Sequence, residues 1–445
     1  MAEPERLSTV AVRSIGCRTN QEEMTALSAR LAEEGYRLVD ATSEAQIIIL
    51  NTCSVTGATE SKTRRFLKTL SEDAPQAKIC VTGCLAQQDP EKLLQSKGVT
   101  WVVGNSCKNN IAQLLRISTG GIHTTSLSET ASSALAVSST VAAPDAPGNQ
   151  RTRFSVKIQE GCDFRCSYCI VPQLRGPSRS ARQEDIVAVC REAITLGYKE
   201  LILTGTHIGQ FTGDGDGSGL PGLLVKLIGI DGDFRIRLSS LDPRDCTDEL
   251  LGLVGTSDKI CDHVHVSLQS CSPDILSAMQ RPVDATLTCL ERLTSFRNNY
   301  PLTGIGADLI VGFPGETTGQ FEETTRAAEV LELSYAHVFR FSPRPGTPAA
   351  LLTDTVPESE KTARSAILRD FVGKSRSHFI KKVEPVPQRI IVESVFPVRG
   401  LTSNFLHVEL PGGEVNCNTW MDVTVRAAPL RGRYYPAQPV LRKVA

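Results

Sequence analysis

Three cysteines crowd one short segment of the chain, Cys162, Cys166 and Cys169, in the spacing C-x3-C-x2-C. A [4Fe–4S] cube has four irons that each need an outside ligand, and cysteine thiolate is the usual one. The next cysteine, Cys190, comes 21 residues after Cys169, so this segment supplies three ligands and leaves one iron open. Three structural thiols or an incomplete zinc site are the alternatives, but zinc sites are typically built of C-x2-C pairs. The spacing therefore favours an open-cornered cluster.

Three further cysteines, Cys17, Cys53 and Cys84, each follow a segment predicted to be a strand. They stand 36 and 31 residues apart, so sequence spacing alone does not join them. Loops at the C-terminal edge of one parallel sheet converge in space, and such folds bind ligands there. These thiols could hold a second cluster; from chemistry alone, buried core thiols are an equal alternative, because free cysteine packs as a small hydrophobe. Core packing is the expectation for the other eight of the 14 cysteines.

The elements that must position these cysteines alternate between strand and helix. Strands are predicted at residues 9–15, 46–51, 78–82 and 99–103, and helices at 21–34, at 62–70 and from Pro90. This alternation predicts a parallel sheet with helices on both faces. Residues 119–150 are rich in Ser, Thr, Ala and Pro, with Glu129 and Asp145 as the only acidic or basic side chains that are charged at pH 7. That composition predicts a flexible linker.

The alternation resumes after the linker, with strands predicted at residues 154–159, 200–204, 235–239, 263–268, 304–311 and 335–341. Helical stretches such as 184–196 and 317–333 lie between them. Six strand–helix units predict a complete or partial parallel barrel, with chemistry at the C-terminal strand ends. Short β segments at 389–396, 404–410 and 420–426 predict a small β-barrel after it. The expected α/β chain thus comprises an N-terminal parallel-sheet domain, a linker, a barrel and a small β-barrel, at residues 1–118, 119–150, 151–383 and 384–445.

Composition limits the class of protein. The chain has 445 residues, and 48 Lys and Arg against 49 Asp and Glu give a formal charge of -1, which excludes a highly basic coating protein. No apolar run reaches the about 18 residues of a membrane span, and the polar N-terminus lacks the apolar core of a signal peptide. We expect a cytoplasmic monomer without membrane contact, whose reduced cysteines serve metal binding or catalysis.

The C-x3-C-x2-C loop after the first barrel strand resembles the radical S-adenosylmethionine (SAM) superfamily. Further segments resemble its methylthiotransferase branch: KIQEGC (157–162), LTGTHIG (203–209), HVHVSLQS (263–270), DLIVGFPGE (308–316) and SPRPGT (342–347). The resemblance implies that Cys162, Cys166 and Cys169 hold a [4Fe–4S] cluster whose open iron binds SAM. Reduction by an external electron donor then splits SAM to a 5′-deoxyadenosyl radical, while the protein aligns cluster, SAM and target.

The same resemblance covers the N-terminal cysteine motifs. It implies that Cys17, Cys53 and Cys84 hold an auxiliary [4Fe–4S] cluster, which supplies or carries the sulfur that is methylated and inserted. It also implies that four strand-end residues contact SAM, namely Gly205, Thr206, Gln269 and Gly312. Cys271 stands where the family usually has glycine, which affects the shape of the SAM pocket and leaves the reaction as it is.

The family divides among tRNA N6-isopentenyladenosine, tRNA N6-threonylcarbamoyladenosine and an aspartate of a ribosomal protein. The segments GCRTNQ (16–21), TGCLAQ (82–87) and HVFRFSPRPGT (337–347) resemble the threonylcarbamoyladenosine group most. The resemblance thus implies 2-methylthiolation of that nucleoside next to the anticodon, with the other two substrates as alternatives. A non-catalytic iron–sulfur sensor that binds RNA is a more remote alternative.

RNA binding has its own support in the basic residues. Residues 361–382 carry seven of them, Lys361, Arg364, Arg369, Lys374, Arg376, Lys381 and Lys382. The C-terminal segment, which resembles the TRAM module of the family in position and β character, adds Arg389, Arg399, Trp420, Arg431, Arg433, Tyr434 and Tyr435. These side chains could contact phosphates and stack on bases, or simply form a solvated helix and an ordinary barrel core. Arg175, Arg179 and Arg182 are also expected to favour an anionic partner.

Overall fold

The structure is a computed structural model. It describes residues 8–54, 57–125, 127, 135–137, 141, 143–144, 152–215, 217–427 and 433–440. Among them, no helix combines the length and apolar character that crossing a membrane requires.

The N-terminal domain is a six-stranded, fully parallel sheet. Its strands are β1 (Thr9–Ser14), β2 (Arg37–Leu38), β3 (Ile47–Thr52), β4 (Lys78–Gly83), β5 (Val99–Val103) and β6 (Gly121–His123), in the order β2-β1-β3-β4-β5-β6. Its helices are α1 (Arg18–Glu33), α2 (Gly57–Asp73), α3 (Cys84–Gln88), α4 (Pro90–Leu94) and α5 (Ile111–Ile117). β3 is buried throughout because helices cover both faces: Ile48 packs with residues of α2, and Ile49 with residues of α1.

The central domain is a partial barrel. Its strands are β7 (Arg153–Glu160), β8 (Arg179–Ser180), β9 (Glu200–Gly205), β10 (Arg235–Leu238), β11 (His263–Gln269), β12 (Gly304–Val311) and β13 (Tyr335–Arg340). Its helices are α6 (Val171–Arg175), α7 (Gln183–Thr195), α8 (Gly219–Ile228), α9 (Asp248–Thr256), α10 (Pro273–Ala278), α11 (Val283–Asn299), α12 (Thr318–Val330) and α13 (Glu358–Val383). Two sheets, β10-β9-β7-β8 and β11-β12-β13, are joined by a backbone bridge between Leu241 and Val266. Among the described strands of this domain, only β8 runs antiparallel to its neighbour.

Side chains alternate across these strands. On β11, Val264, Val266 and Leu268 pack in the main core together with residues of the helices. Successive side chains of a strand point to opposite faces, so His263, His265 and Ser267 face the inside of the barrel. The barrel interior is therefore polar while its outer layer is apolar.

The C-terminal domain is a closed five-stranded barrel in the order β14-β15-β16-β18-β17. Its strands are β14 (Gln388–Val395), β15 (Val398–Thr402), β16 (His407–Leu410), β17 (Trp420–Val425) and β18 (Tyr435–Pro439). The expected small β-barrel is confirmed, but the sequence pattern indicated only three of its strands. The sequence pattern did not predict β18 because this strand contains Pro436 and Pro439, and proline is rare in strands.

This small barrel closes the N-terminal end of the central barrel. Arg235 and Arg237, on β10, donate to the backbone carbonyls of Leu401, at 2.8 Å, and Thr402, at 3.0 Å. The ring of Phe405 stacks on that of His263, at the start of β11, with centroids 4.5 Å apart. The central barrel is thus plugged at this end, and the C-terminal strand ends remain for chemistry. The predicted α/β fold class is confirmed.

Parts of the segment 119–150 are built into the fold. Gly121–His123 forms β6, which pairs with β5. Leu135 and Val141 are buried in the main core, and the Leu135 amide donates to the Ser180 carbonyl at 3.2 Å. Leu135 and Val141 therefore pack against the barrel. Residues 126, 128–134, 138–140, 142 and 145–150 of the expected linker lie outside the described residues, and the domain boundaries stay a prediction.

Candidate functional site

The three N-terminal cysteines come together at one sheet edge. Cys17, Cys53 and Cys84 follow β1, β3 and β4, which are neighbours in the parallel sheet, so their loops leave the same edge side by side. Cys53 and Cys84 are buried, and Cys17 is exposed. The convergence expected from topology is therefore present.

The backbone approaches these thiols closely at Gly16. Its φ is +129°, and an added Cβ would lie 2.4 Å from the Cys53 Cβ and 3.3 Å from its Sγ. The Asn20 amide fixes the two loops, donating to the carbonyls of Ile15 at 3.2 Å and Thr52 at 3.0 Å. Its Oδ1 lies 3.5 Å from the Cys17 Sγ. The cysteines thus line a cradle whose space depends on the missing side chain of Gly16.

The second cysteine trio lies on the loop between β7 and α6. Gly161, with φ +81°, starts this loop, and a Cβ there would lie 1.9 Å from the Pro177 carbonyl oxygen. Ser167 anchors its middle, because the Ser167 amide donates to the Met279 carbonyl at 2.9 Å and the hydroxyl to the Ala278 carbonyl at 2.8 Å. The loop is therefore held from both sides, with Cys162, Cys166 and Cys169 half-buried on it.

Helix α6 lies between the two cysteine trios, the first being Cys17, Cys53 and Cys84 and the second Cys162, Cys166 and Cys169. It begins two residues after Cys169, and Cys84 packs with Ile170 and Leu174 in one apolar cluster. The Asn105 amide donates to the Leu174 carbonyl at 2.8 Å and lies 3.8 Å from the Cys84 Sγ. One short helix thus contacts both cysteine loops.

Arg175, the last residue of α6, is 4% exposed and connects the domains. Its guanidinium donates to Glu23 at 2.8 Å, to Glu160 at 2.9 Å and to the Asn20 Oδ1 at 2.8 Å. Burial lowers the pKa of Arg175, but Glu23, the Cys84 thiol and Glu160 together raise it well above its ordinary value. Burial likewise raises the pKa of Glu23, while the cations beside it, Arg175 foremost, bring it well below its ordinary range. Both side chains are held charged between the two trios.

Ion pairs within the chain correct the expectation that the arginines after the cluster loop, Arg175, Arg179 and Arg182, favour an anionic partner. Arg175 and Arg179 both pair with Glu160, at 2.9 Å and 3.4 Å, because that carboxylate lies among them. Arg182 is exposed and pairs with Asp185 at 2.7 Å. An outside anion would have to compete with these carboxylates.

The four residues expected to contact SAM lie at C-terminal strand ends of the barrel. Gly205, Gln269 and Gly312 end or directly follow β9, β11 and β12. The Gly161 amide donates to the Thr206 hydroxyl at 3.3 Å, which joins Thr206 to the cysteine loop. All four thus share a rim with Cys162, Cys166 and Cys169, and their contact with SAM stays a prediction.

Two further side chains at this rim were not foreseen. The His207 ring contacts the Phe164 ring of the cysteine loop at a tilt of 57°, with centroids 4.9 Å apart, and its Nε2 lies 2.8 Å from Asp245. Burial lowers the pKa of His207, but Asp245 and Cys162 raise it to a net value of about 9. Arg281 lies 3.8 Å from the Cys166 Sγ. His207 belongs to the LTGTHIG segment (203–209), whose resemblance to the family could have drawn attention to it, whereas no sequence pattern indicated Arg281.

Both trios fit a four-iron cube better than a single ion. Among the described residues, His265, Asp308 and His337 are the set whose metal-ligating atoms all lie within 4.8 Å of one another. Each trio supplies three thiols, and cysteine thiolate is the usual ligand of a four-iron cube. N–H groups also approach Cys84 and Cys166, and such hydrogen bonds tune iron–sulfur clusters. Of the other eight cysteines, six are buried as expected, while Cys107 is half-buried and Cys417 is exposed.

The basic stretch at 361–382 lies on α13, and much of its charge is used inside the protein. Lys361 and Arg364 are buried and pair with Asp354 and Glu316. Three more are engaged within the chain: Arg369 with the Val338 carbonyl, Arg376 with the Tyr435 ring and Lys382 with Glu332. This weakens the expectation that the stretch contacts RNA phosphates. Arg431 lies outside the described residues.

Comparison with known proteins covers both cysteine sites. Residues 9–104 match the uncharacterized protein family UPF0004, and residues 156–328 match the radical SAM superfamily. The threonylcarbamoyladenosine tRNA methylthiotransferase MtaB of Bacillus subtilis is 32% identical, over 92% of this chain and 91% of that protein. The protein of the same name from Aquifex aeolicus is 33% identical, over 91% of this chain and 97% of that one.

Two other similarities are informative. The tRNA-2-methylthio-N(6)-dimethylallyladenosine synthase of Solibacter usitatus is 31% identical, over 92% of this chain and 93% of that protein. The radical S-adenosylmethionine methyltransferase TsrM from Kitasatospora setae, solved with cobalamin and a [4Fe–4S] cluster, has a TM-score of 0.59 at 14% identity, over 78% of this chain and 77% of that one. At that identity the likeness concerns the fold alone.

Proposed function

The chain belongs to the radical SAM methylthiotransferases, and from this premise we propose that it converts N6-threonylcarbamoyladenosine next to the anticodon of tRNA to its 2-methylthio derivative. The observation that carries the proposal is the approach of two cysteine trios across α6 and Arg175. A methylthiolation needs both a source of a carbon radical and a source of sulfur, and the two sites must share one substrate.

We assign one [4Fe–4S] cluster to each trio. Cys162, Cys166 and Cys169 hold the cluster that binds SAM, and Cys17, Cys53 and Cys84 hold the one that bears the sulfur. When bound, these groups and SAM supply the radical chemistry that breaks an unreactive C–H bond, as well as the transferred methylthio group.

The chain's own residues position these groups. Gly16 and Gly161 let the backbone turn tightly where the cysteine loops begin. Gly205, Thr206, Gln269 and Gly312 form the rim against which we place SAM. Arg175 ties the loop of Cys17 to the helix after Cys169, which fixes the distance between the two trios. Electron delivery by an external donor and a monomeric state stay predictions.

The test is a comparison of tRNA nucleosides by mass spectrometry from cells with and without this chain. We expect 2-methylthio-N6-threonylcarbamoyladenosine to disappear without the chain, and to return with the wild-type gene but not with Cys166→Ala or Cys53→Ala. Persistence of this nucleoside in the deletion strain would refute the proposal, provided that no second gene encodes such an enzyme.

The same experiment separates the alternatives. Loss of the 2-methylthio derivative of N6-isopentenyladenosine alone would support the activity named for the Solibacter relative. Loss of a mark on a ribosomal-protein aspartate alone would support the protein-modifying branch. A non-catalytic RNA-binding sensor predicts neither change, and it predicts no 5′-deoxyadenosine from reduced protein and SAM.

A further inference from the structure

Three polar side chains meet inside the barrel, away from the cysteines. His265 on β11, Asp308 on β12 and His337 on β13 all face the interior, and Asp308 and His337 are direct partners across the strands. The Asp308 Oδ1 lies 2.9 Å from the His337 Nδ1 and 3.1 Å from the His265 Nε2. We call these three residues the interior triad.

The interior triad lies below the cofactor rim. His265 precedes Gln269 by four residues, and Asp308 precedes Gly312 by four. At about 3.3 Å per residue along a strand, the triad is roughly 13 Å deeper than the rim. It is thus a separate site on the inner face of the same barrel, between the rim and the C-terminal barrel that closes the other end.

The interior triad has unused hydrogen-bonding capacity. His265 is 5% exposed, and while its Nε2 faces Asp308 at 3.1 Å, its Nδ1 has no hydrogen-bond partner among the described residues. Buried polar groups normally have partners, and one without a partner calls for an explanation such as a bound ligand. Burial raises the pKa of Asp308, but the two imidazoles lower it to well below its ordinary value, so the carboxylate stays charged.

The interior triad is also open at one side. His337 is 57% exposed and Phe339, two residues further on the edge strand β13, is 40% exposed. Their rings are 6.3 Å apart, edge to face. Exposed aromatic rings beside a cavity suit the stacking of an unpaired base, which has to leave its neighbours to enter such a site.

From these observations we infer that the interior triad is the subsite for the polar N6 group of the target adenosine; the inference rests on the function proposed above. In adenine, C2 and the carbon that bears N6 lie on opposite sides of N1, so their substituents diverge, and a base whose C2 faces the rim directs its N6 group away from the rim. A threonylcarbamoyl group offers urea N–H and hydroxyl donors to Asp308, and carbonyl, hydroxyl and carboxylate acceptors to the imidazole N–H groups. A dimethylallyl (isopentenyl) group offers none, so it would leave the remaining hydrogen-bonding capacity of the interior triad unfilled, which costs affinity.

The test uses the reconstituted full-length enzyme and two otherwise identical anticodon hairpins, one with N6-threonylcarbamoyladenosine and one with N6-isopentenyladenosine. His337→Leu removes a polar partner at the open side, and Asp308→Asn keeps the shape but removes the charge. His378→Leu is the matched control, since His378 is a 68% exposed histidine on α13. Single-turnover methylthiolation and hairpin affinity are measured for each protein, with iron content as the check on folding.

We expect the two subsite variants to lose about 10- to 100-fold in rate or affinity with the threonylcarbamoyl hairpin, while the ratio between the two hairpins shifts toward isopentenyladenosine. The control should keep the wild-type ratio. Equal losses with both hairpins, or an unchanged ratio, would overturn the inference. The inference would also be overturned if a metal chelator abolished the wild-type preference for the threonylcarbamoyl hairpin and zinc restored it. The interior triad would then be a metal site. If the wild-type enzyme itself fails to modify the threonylcarbamoyl hairpin, it is the proposed function that fails.

Discussion

The Arg175 guanidinium lies 2.8 Å from the Glu23 carboxylate, and the two residues belong to different domains. Glu23 stands on the helix that follows Cys17, and Arg175 ends the helix that follows Cys169. Both side chains are buried, with 4% of Arg175 and 3% of Glu23 exposed. It therefore couples the positions of the two cysteine sites directly.

Arg175→Met should destabilise the protein by about 3–5 kcal/mol, because Glu23 and Glu160 would remain buried with less compensating charge. Arg182→Met is the matched control. Arg182 is 62% exposed and pairs only with Asp185 among the described residues, so its loss should leave stability almost unchanged. The urea midpoints of the reconstituted proteins, compared anaerobically, check this. Equal midpoints for the two variants would contradict it.

Gly16→Ala should remove the auxiliary cluster. An added Cβ would lie 2.4 Å from the Cys53 Cβ, so the loop of Cys53 must move. We expect iron to fall from about eight to about four per chain, while reduced protein still cleaves SAM. Gly197→Ala is the control, because Gly197 also has a positive φ, +97°, but an added Cβ would meet no atom within 4 Å. About eight irons per chain in the Gly16→Ala protein would show that the auxiliary cluster does not require the space left by Gly16.

Glu200→Gln should loosen the C-terminal barrel. Glu200 is fully buried and accepts hydrogen bonds from Arg235 and Arg237 at 2.7 Å each, and these arginines hold the carbonyls of residues 401 and 402. Removing the charge leaves two buried guanidinium groups undercompensated, which costs about 3–5 kcal/mol. Limited proteolysis and urea midpoints measure the effect. Asp233→Asn, which breaks an exposed pair with Arg389 across the same interface, should cost no more than about 1 kcal/mol.

Glu22 predicts a pH dependence of stability. Burial, the largest cause, raises the pKa of Glu22 from 4.5 to about 7. The folded state then holds a proton that the unfolded state has lost between about pH 4.5 and 7, so this residue lowers stability as pH rises through that window. Glu22→Gln removes this effect, and the variant should be more stable than the wild type at pH 8 by about 1–3 kcal/mol. Anaerobic denaturation at pH 5 and pH 8 tests it; an equal difference at both pH values would contradict the assignment.

The sequence by itself determined the chemistry that lies in local patterns. The spacing of Cys162, Cys166 and Cys169 predicts a three-ligand loop, and apolar periodicity located the strands of both large domains except the short β2, β6 and β8. The rule that parallel strands end at one edge then brought Cys17, Cys53 and Cys84 together. These inferences succeeded because each depends on neighbours within one element or on the order of strands.

Only the tertiary structure decided which charged groups serve the site and which serve the fold. Arg175 looked like a contact for an anion, yet it pairs with a residue 152 positions away in the sequence. Much of the basic face of α13 is likewise used within the chain, and His265, Asp308 and His337 meet from three separate strands. The pairing of long-range side chains depends on how whole domains pack, and no local spacing in the chain encodes that packing.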